Sequence, residues 1–144
     1  IMPSLVGSEM CIRDSVSPFK ERAAYNWAVE TSIYVDENVK HKGVGRKLHE
    51  ALETVLKEQG ILNMEACIGY PEEEDGYLDK NSARFHAHMG YRMVGEFKKC
   101  GYKFDRWYNM VWMEHIIGEH QTHMAYPESF PQIRDRLKEK YGLE

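Results

Sequence analysis

Cysteine is scarce in this chain: Cys11, Cys67 and Cys100 are the three among 144 residues, an odd number with no Cys-x-x-Cys spacing. That excludes a disulfide framework and a thiolate zinc site, and makes a reducing cytoplasm the expected setting. A run of about eighteen apolar residues is also missing, so no membrane-spanning helix is expected. Nor is there a basic surplus. The 19 Lys and Arg stand against 23 Asp and Glu, for a formal net charge of -4. Nucleic acid is therefore excluded as the main partner, because binding it calls for a broad basic surface to neutralise phosphates. Histidine is more plentiful, but His115, His120 and His123 match no common zinc spacing, so no metal is expected. With 42% hydrophobic residues and no internal repeat, the chain suits one domain with one core.

Positive charge does concentrate in one place. The stretch Ile33-Tyr34-Val35-Asp36-Glu37-Asn38-Val39-Lys40-His41-Lys42-Gly43-Val44-Gly45-Arg46-Lys47-Leu48 runs from an apolar strand through a basic glycine turn into an amphipathic helix. Gly43 and Gly45 let backbone approach a ligand, and the first amides of a helix lack internal partners while carrying the positive end of its dipole. Several converging donors suit a diphosphate better than a lone carboxylate. Two common phosphate motifs are absent: no Gly-Lys-Ser/Thr ends the turn, and the third glycine and downstream acid of a dinucleotide fingerprint are missing.

The segment Lys40 to Gly45 instead resembles the Gln/Arg-x-x-Gly-x-Gly/Ala turn of GNAT acyltransferases, with Lys40 in place of the usual Gln or Arg. Three further blocks follow in that family's order. Arg22-Ala23-Ala24-Tyr25-Asn26-Trp27-Ala28-Val29-Glu30-Thr31-Ser32-Ile33-Tyr34-Val35 resembles the segment before the cofactor turn in phosphinothricin and methionine sulfoximine N-acetyltransferases. Ser82-Ala83-Arg84-Phe85-His86-Ala87-His88-Met89-Gly90-Tyr91 resembles the second cofactor helix. Gly101 to Trp112 resembles a Lys-x-Gly-x-Trp-x-Asp strand pair, from which Asp105 and Asn109 depart. The resemblance covers about residues 16–118 and implies an α+β GNAT fold, a central mixed sheet flanked by helices. It also implies acetyl-CoA as cosubstrate, a small primary amine as acceptor and a homodimer. A catalytically silent acyl-CoA-binding fragment and a protein or peptide N-acetyltransferase remain as alternatives.

Residues 1–15 show no helical or strand periodicity, and Ser4 to Ser15 resembles a translated sequencing-adapter peptide. A non-native leader over 1–15 is expected, then a C-terminal portion of the GNAT domain over 16–118 and an extension with a helix over 119–144. Strands are predicted at Trp27–Asp36, Leu62–Ile68, Arg92–Lys99 and Trp107–Ile116, the last two as a hairpin. Helices are predicted over Gly43–Gln59, where Gly60 is placed to end the helix, over Asn81–Met89, and over Glu128–Lys140, with spacing at Ile133, Leu137 and Tyr141. Pro71 to Gly76 reads as a solvated acidic turn, and Cys67 and Cys100 as packing residues.

Acetyl transfer needs a neutral amine, a route for its proton and donors for the thioester oxyanion. Glu30, a carboxylate in an otherwise apolar strand and expected to be buried, is the candidate base, at the position where the resemblance puts the family's own. The resemblance places His86 where a tyrosine commonly protonates the departing thiolate; packing alone is an equal reading of it. For the cofactor, the resemblance implies backbone of Ile33, Tyr34 and Val35 against the pantetheine arm. Lys40, His41, Lys42, Gly43, Val44, Gly45 and Arg46 then face the pyrophosphate, and Asp79 or Asn81 supplies an asparagine-type contact. For the acceptor, Arg22, Ala23, Ala24, Tyr25, Lys103 and Trp107 are the candidates, cations for a carboxylate and aromatics for an alkyl stem. Tyr25 and Trp27 also read as ordinary strand aromatics.

Overall fold

The computed structural model describes residues 12–35 and 43–142, with backbone alone for 12–15 and 33–35. Along them run β1 (Ile12–Pro18), a 3-10 turn (Ala23–Tyr25), β2 (Ala28–Val35), α1 (Val44–Gln59), β3 (Asn63–Tyr70) and α2 (Asn81–His88), then β4 (Arg92–Lys103), β5 (Arg106–Ile116) and α3 (Phe130–Tyr141). The chain divides into two compact units, Ile1–Met64 with Ile117–Glu144 and Glu65–Ile116.

In the first unit the strand order is β1-β2-β3. β1 pairs antiparallel with β2, Val16 opposite Thr31 and Ser17 opposite Glu30. The amides of Leu62 and Asn63 both donate to the Trp27 carbonyl, at 2.9 and 3.1 Å. β2 and β3 thus start side by side and run parallel, a pairing that needs a helical crossover, and α1 supplies it. Three-and-four spacing puts Leu48, Leu52, Val55 and Leu56 on one face of α1, each no more than 1% exposed. Gly60, left-handed at φ 90°, ends the helix by donating to the carbonyls of Leu56 and Lys57.

α3 belongs to this unit as well and packs on α1. Gln132 Oε1 accepts the Ser129 amide at 2.7 Å, Pro131 lies in the first turn, and Ile133 and Leu137 are buried. The Glu58 carboxylate on α1 accepts from Arg136 Nε at 2.8 Å, Lys140 Nζ at 3.2 Å and the Tyr141 hydroxyl at 3.1 Å. The Arg136 bond first, then that of Lys140, holds the Glu58 pKa below its ordinary value.

In the second unit the order is β3-β5-β4. β4 and β5 form the predicted hairpin around Phe104 and Asp105, both at φ 56°, the two positive-φ residues of a type I′ turn. β5 buries Tyr108, Asn109, Val111 and Met113, whereas every residue of β4 is exposed.

Helix and strand expectations hold to within a few residues, and five of the finer readings need correction. Ile12–Ser15, read as lacking periodicity, is strand, because the pairing comes from β2 and not from the segment's own pattern. Tyr25 is not a strand aromatic but lies in the 3-10 turn, 45% exposed. β4 extends past Lys99 to Lys103, since a register shift between Phe97 and Gly101 absorbs the irregularity at Lys99, whose φ is 47°. Cys67 and Cys100 are exposed, although the Cys67 sulfur lies against Met110 Sδ at 2.7 Å. Phe130–Tyr141 starts two residues later than the predicted Glu128, at the serine cap.

We expect Leu137→Ala to destabilise the folded chain by about 2–5 kcal/mol in urea denaturation, the usual range for a large-to-small change in a closed core. A loss under about 1 kcal/mol would mean that α3 does not share the α1 core.

Candidate functional site

The first unit carries the helix start that the sequence singles out. Gly43 precedes α1 at φ 73°, and a Cβ there would meet nothing within 4 Å, so the left-handed conformation rather than crowding calls for glycine. The first turn-closing bond runs from the Lys47 amide to the Gly43 carbonyl at 3.1 Å, with no side-chain cap and no acid in the first turn. Val44 and Gly45 are half-buried, and Gly43 and Arg46 are exposed. Arg46 Nε also reaches Glu50 Oε1 at 3.3 Å. Among the described residues, the backbone donors and the positive helix end therefore meet no carboxylate in the first turn. Lys40, His41 and Lys42 lie outside the described residues.

Glu30 is half-buried in β2, between the buried Val29 and Thr31. The expectation of a buried carboxylate is corrected: the period of two sends Glu30 to the face opposite those neighbours. Ile33, Tyr34 and Val35 pair with Asp14, Arg13 and Ile12. One edge of that backbone is thereby occupied by β1, and β3 is the next strand on the other side of β2 in the strand order. Arg22, Ala23, Ala24 and Tyr25 are all exposed around the 3-10 turn, and the Arg22 carbonyl accepts the Tyr25 amide at 3.0 Å.

The second unit carries α2. His86 is 3% exposed there. Its Nδ1 lies 2.7 Å from the Ser82 carbonyl, which makes Nδ1 the protonated nitrogen, and its ring meets Tyr91 edge-on at 4.9 Å. Burial lowers its pKa, outweighing the Ser82 bond. Gly90 ends the helix at φ 100°, where a Cβ would stand 3.0 Å from His115 Cε1. Asp79 accepts from the Asn81 amide and side-chain amide, both at 2.9 Å, and Asn81 Oδ1 accepts from Arg84 at 3.0 Å. The two candidates for one cofactor contact thus bond each other, and Asp79 acts as a turn-former before α2. Phe85 is half-buried.

The acidic turn read as merely solvated is tied into this unit by several side-chain bonds. Asp75 Oδ1 accepts the amides of Tyr77 and Leu78, each at 2.8 Å, while Oδ2 accepts from the Tyr108 hydroxyl at 2.8 Å and Arg106 at 3.0 Å. Burial of the carboxylate opposes ionisation, but the Leu78 and Tyr77 amides, Tyr108 and Arg106 together bring its pKa down to about 2. Glu74 bonds Arg84 at 2.8 Å. Asn109, 1% exposed, donates to Glu96 at 2.8 Å and accepts the Lys99 amide at 2.8 Å. Asp75 had no local signal beyond a carboxylate two residues before a Tyr-Leu step, since Tyr108 is 33 positions away. Lys103 and Trp107 are exposed beside the hairpin turn, Lys103 over the Phe104 ring at 5.1 Å and Trp107 against Tyr102 at 4.9 Å. Among the described residues, no helix is long and apolar enough to cross a membrane.

An acetyltransferase (GNAT) domain model matches residues 14–112. The chain is 34% identical to a phosphinothricin N-acetyltransferase of Streptomyces coelicolor, over 68% of this chain and 53% of that one. It is 31% identical to an L-methionine sulfoximine/L-methionine sulfone acetyltransferase of Pseudomonas aeruginosa, over 62% and 48% respectively. It spans about half the length of these curated relatives. Among solved structures, a GNAT superfamily phosphinothricin acetyltransferase from Sinorhizobium meliloti in complex with AcCoA matches with a TM-score of 0.68 and 28% identity, covering 83% of this chain and 60% of that one.

Two pH effects follow. The His86 pKa is depressed below 6.5, so beneath pH 6.5 the unfolded chain binds the proton first. His86 then contributes full stability above pH 6.5 and loses it as pH falls through the folded pKa. His86→Phe should flatten the melting temperature between pH 7 and 5; an unchanged slope would contradict a buried neutral imidazole. The Asp75 pKa is depressed from 3.8 to about 2, so its contribution is full above pH 3.8 and disappears as pH falls through about 2. Asp75→Asn should lower the melting temperature at pH 7 and remove that part of the acid dependence.

Proposed function

Because the chain belongs to the GNAT acetyltransferase family, we propose that it transfers acetyl from acetyl-CoA to the primary amine of a small amino-acid-like molecule, of the phosphinothricin or methionine sulfoximine type. The observation that carries this reading is the uncapped start of α1 at a left-handed Gly43 with no acid in its first turn. The names of the relatives and the AcCoA in the Sinorhizobium meliloti structure support it.

In this reading the exposed amides from Gly43 to Arg46, with Lys40, His41 and Lys42, hold the diphosphate of acetyl-CoA. The backbone of Ile33, Tyr34 and Val35 takes the pantetheine arm. Asp79 and Asn81 are weaker candidates for cofactor contact, because each already satisfies the other. Glu30, half-buried and so within reach of water, takes the proton that the acceptor's ammonium must lose. The neutral amine attacks the thioester carbonyl, the C–N bond forms, the C–S bond breaks and CoA departs as thiolate. His86 is the candidate to return a proton to that sulfur. Its Nδ1 hydrogen is committed to Ser82 and burial favours the neutral ring, so Nε2 first takes up the second proton that the amine nitrogen sheds on forming the amide and then passes it to the sulfur. Arg22, Ala23, Ala24 and Tyr25, and separately Lys103 and Trp107, are the proposed acceptor contacts, all of them exposed. Direct attack needs no covalent enzyme intermediate, and neither exposed cysteine is given a role.

The test separates turnover from binding. Saturating acetyl-CoA, at about 100 times its dissociation constant, should stabilise the chain by roughly 2.7 kcal/mol. Gly43→Val, forced into a left-handed backbone, should abolish that shift. Glu30→Gln should keep the shift while kcat on a panel of small amines falls about 10²–10⁴-fold. A thermal shift with no turnover in the parent chain would identify an acyl-CoA-binding domain instead. Turnover on peptide amines alone would identify a protein N-acetyltransferase. No shift at all would overturn the cofactor assignment.

A further inference from the structure

Three rings of the second unit form a chain that ends on His86, and its far member, His115, touches both Tyr91 and Gly90. Tyr91, 5% exposed, follows Gly90 directly and meets the His86 ring edge-on, with 4.9 Å between centroids and 84° between planes. The same Tyr91 ring meets the half-buried His115 on β5 at 5.2 Å and 37°. His115 also covers the end of α2: a Cβ on Gly90 would stand 3.0 Å from its Cε1, 3.3 Å from Nδ1 and 3.7 Å from Nε2. The imidazole thus sits where position 90 lacks a side chain, a steric reason for that glycine beside its φ of 100°.

We propose that His115 is a positioning residue that holds the His86 imidazole in orientation through Tyr91; its service to proton transfer rests on the acyl-transfer reading. The Ser82 carbonyl fixes one atom of the His86 ring, Nδ1, at 2.7 Å. A single hydrogen bond is a pivot, about which the ring can swing and carry Nε2 away from its target. The edge contact with Tyr91 supplies the second point of restraint. Tyr91 is held at its backbone, where its amide donates to the His86 carbonyl at 3.0 Å, and at its ring by His115. β5, tied to β4 beside these rings by the Arg92–Glu114 bond at 2.7 Å, therefore sets the aim of Nε2 on α2. Proton transfer depends on donor placement, whereas cofactor binding at the start of α1 does not involve these rings, so the effect falls on kcat.

Nitrogen-15 NMR of the full chain labelled at histidine tests the bracing without turnover, the His86 signals being those that H86F lacks. The parent should show His86 as one tautomer, with the proton on Nδ1. H115A, and H115L as the variant that keeps the core filled, should move these signals toward the ordinary tautomer mixture, while H115F, which keeps a flat ring, should leave them in place. In a Y91L background, H115A should change nothing further. On an amine that the parent acetylates, H115A should lower kcat about ten-fold, less than the roughly 10²–10⁴-fold that a whole proton-transfer group contributes, with KM for acetyl-CoA unchanged and kcat restored in H115F. Unmoved His86 signals in H115A and H115L overturn the proposal, and so does an H115A effect as large in Y91L as in the parent. Moved signals with kcat unchanged overturn the service to catalysis. Moved signals in a parent chain without turnover support the bracing and overturn the acyl-transfer reading instead.

Discussion

The burial of one face of α1 is the constraint on which the first unit depends. Leu48, Leu52, Val55 and Leu56 are almost wholly removed from water, each contributing about 1.5–3 kcal/mol. A helix buried along one stripe must start and stop at set points, and two left-handed glycines, Gly43 and Gly60, mark them. The parallel start of β2 and β3 then follows, because the chain re-enters the sheet immediately after Gly60 and bonds back to Trp27. α3 covers the same helix through Ile133 and Leu137 and ties to it at Glu58. The extension beyond the family-matched residues is thus part of the core that positions the start of α1.

The second unit is organised by polar groups rather than by one apolar stripe. Asp75 gathers four donors, and Asn109 joins Glu96 to the Lys99 amide where β4 shifts register. Arg106 both bonds Asp75 and lies over the Tyr77 ring at 4.8 Å, and Tyr77 stacks on Phe104 at 4.4 Å. The acidic loop and the hairpin turn are therefore one assembly. A carboxylate with several fixed donors is cheap to keep ionised even where burial opposes it, and the loop adds apolar contact through the fully buried Pro71 and through Tyr77 on Phe104.

What the sequence made legible is what local chemistry decides. The three-and-four spacing of α1, the glycine after it, and the β-branched and aromatic run of β2 all stand in the structure within a residue or two. Gly90 before Tyr91 likewise marks the end of α2. What it hid depends on distant partners. Nothing near Asp75 announces Tyr108, and nothing in Ile12–Ser15 announces pairing with β2. Glu30 illustrates the middle case. Its strand was readable, but its exposure depends on which face the neighbouring elements cover. The site residues divide the same way: the start of α1 is local and legible, whereas the mutual bond of Asp79 and Asn81 is a property of the folded turn.

The two helix starts of the first unit make the strongest internal comparison. α3 begins with a serine–glutamine pair and a proline in its first turn, the arrangement that stability favours. α1 begins with a glycine, no side-chain cap and no acid in its first turn, although either device would add stability. The same chain thus optimises one helix start and leaves the other open, in a unit where both helices share a core. Departures from local optimum are expected where a site overrides stability. An acid in the first turn of α1 would neutralise the positive end of the dipole, and a side-chain cap would occupy the amides. Among the described residues, both omissions leave the first amides of α1 without a side-chain cap and the helix dipole without an opposing acid in its first turn, as the proposed diphosphate contact requires.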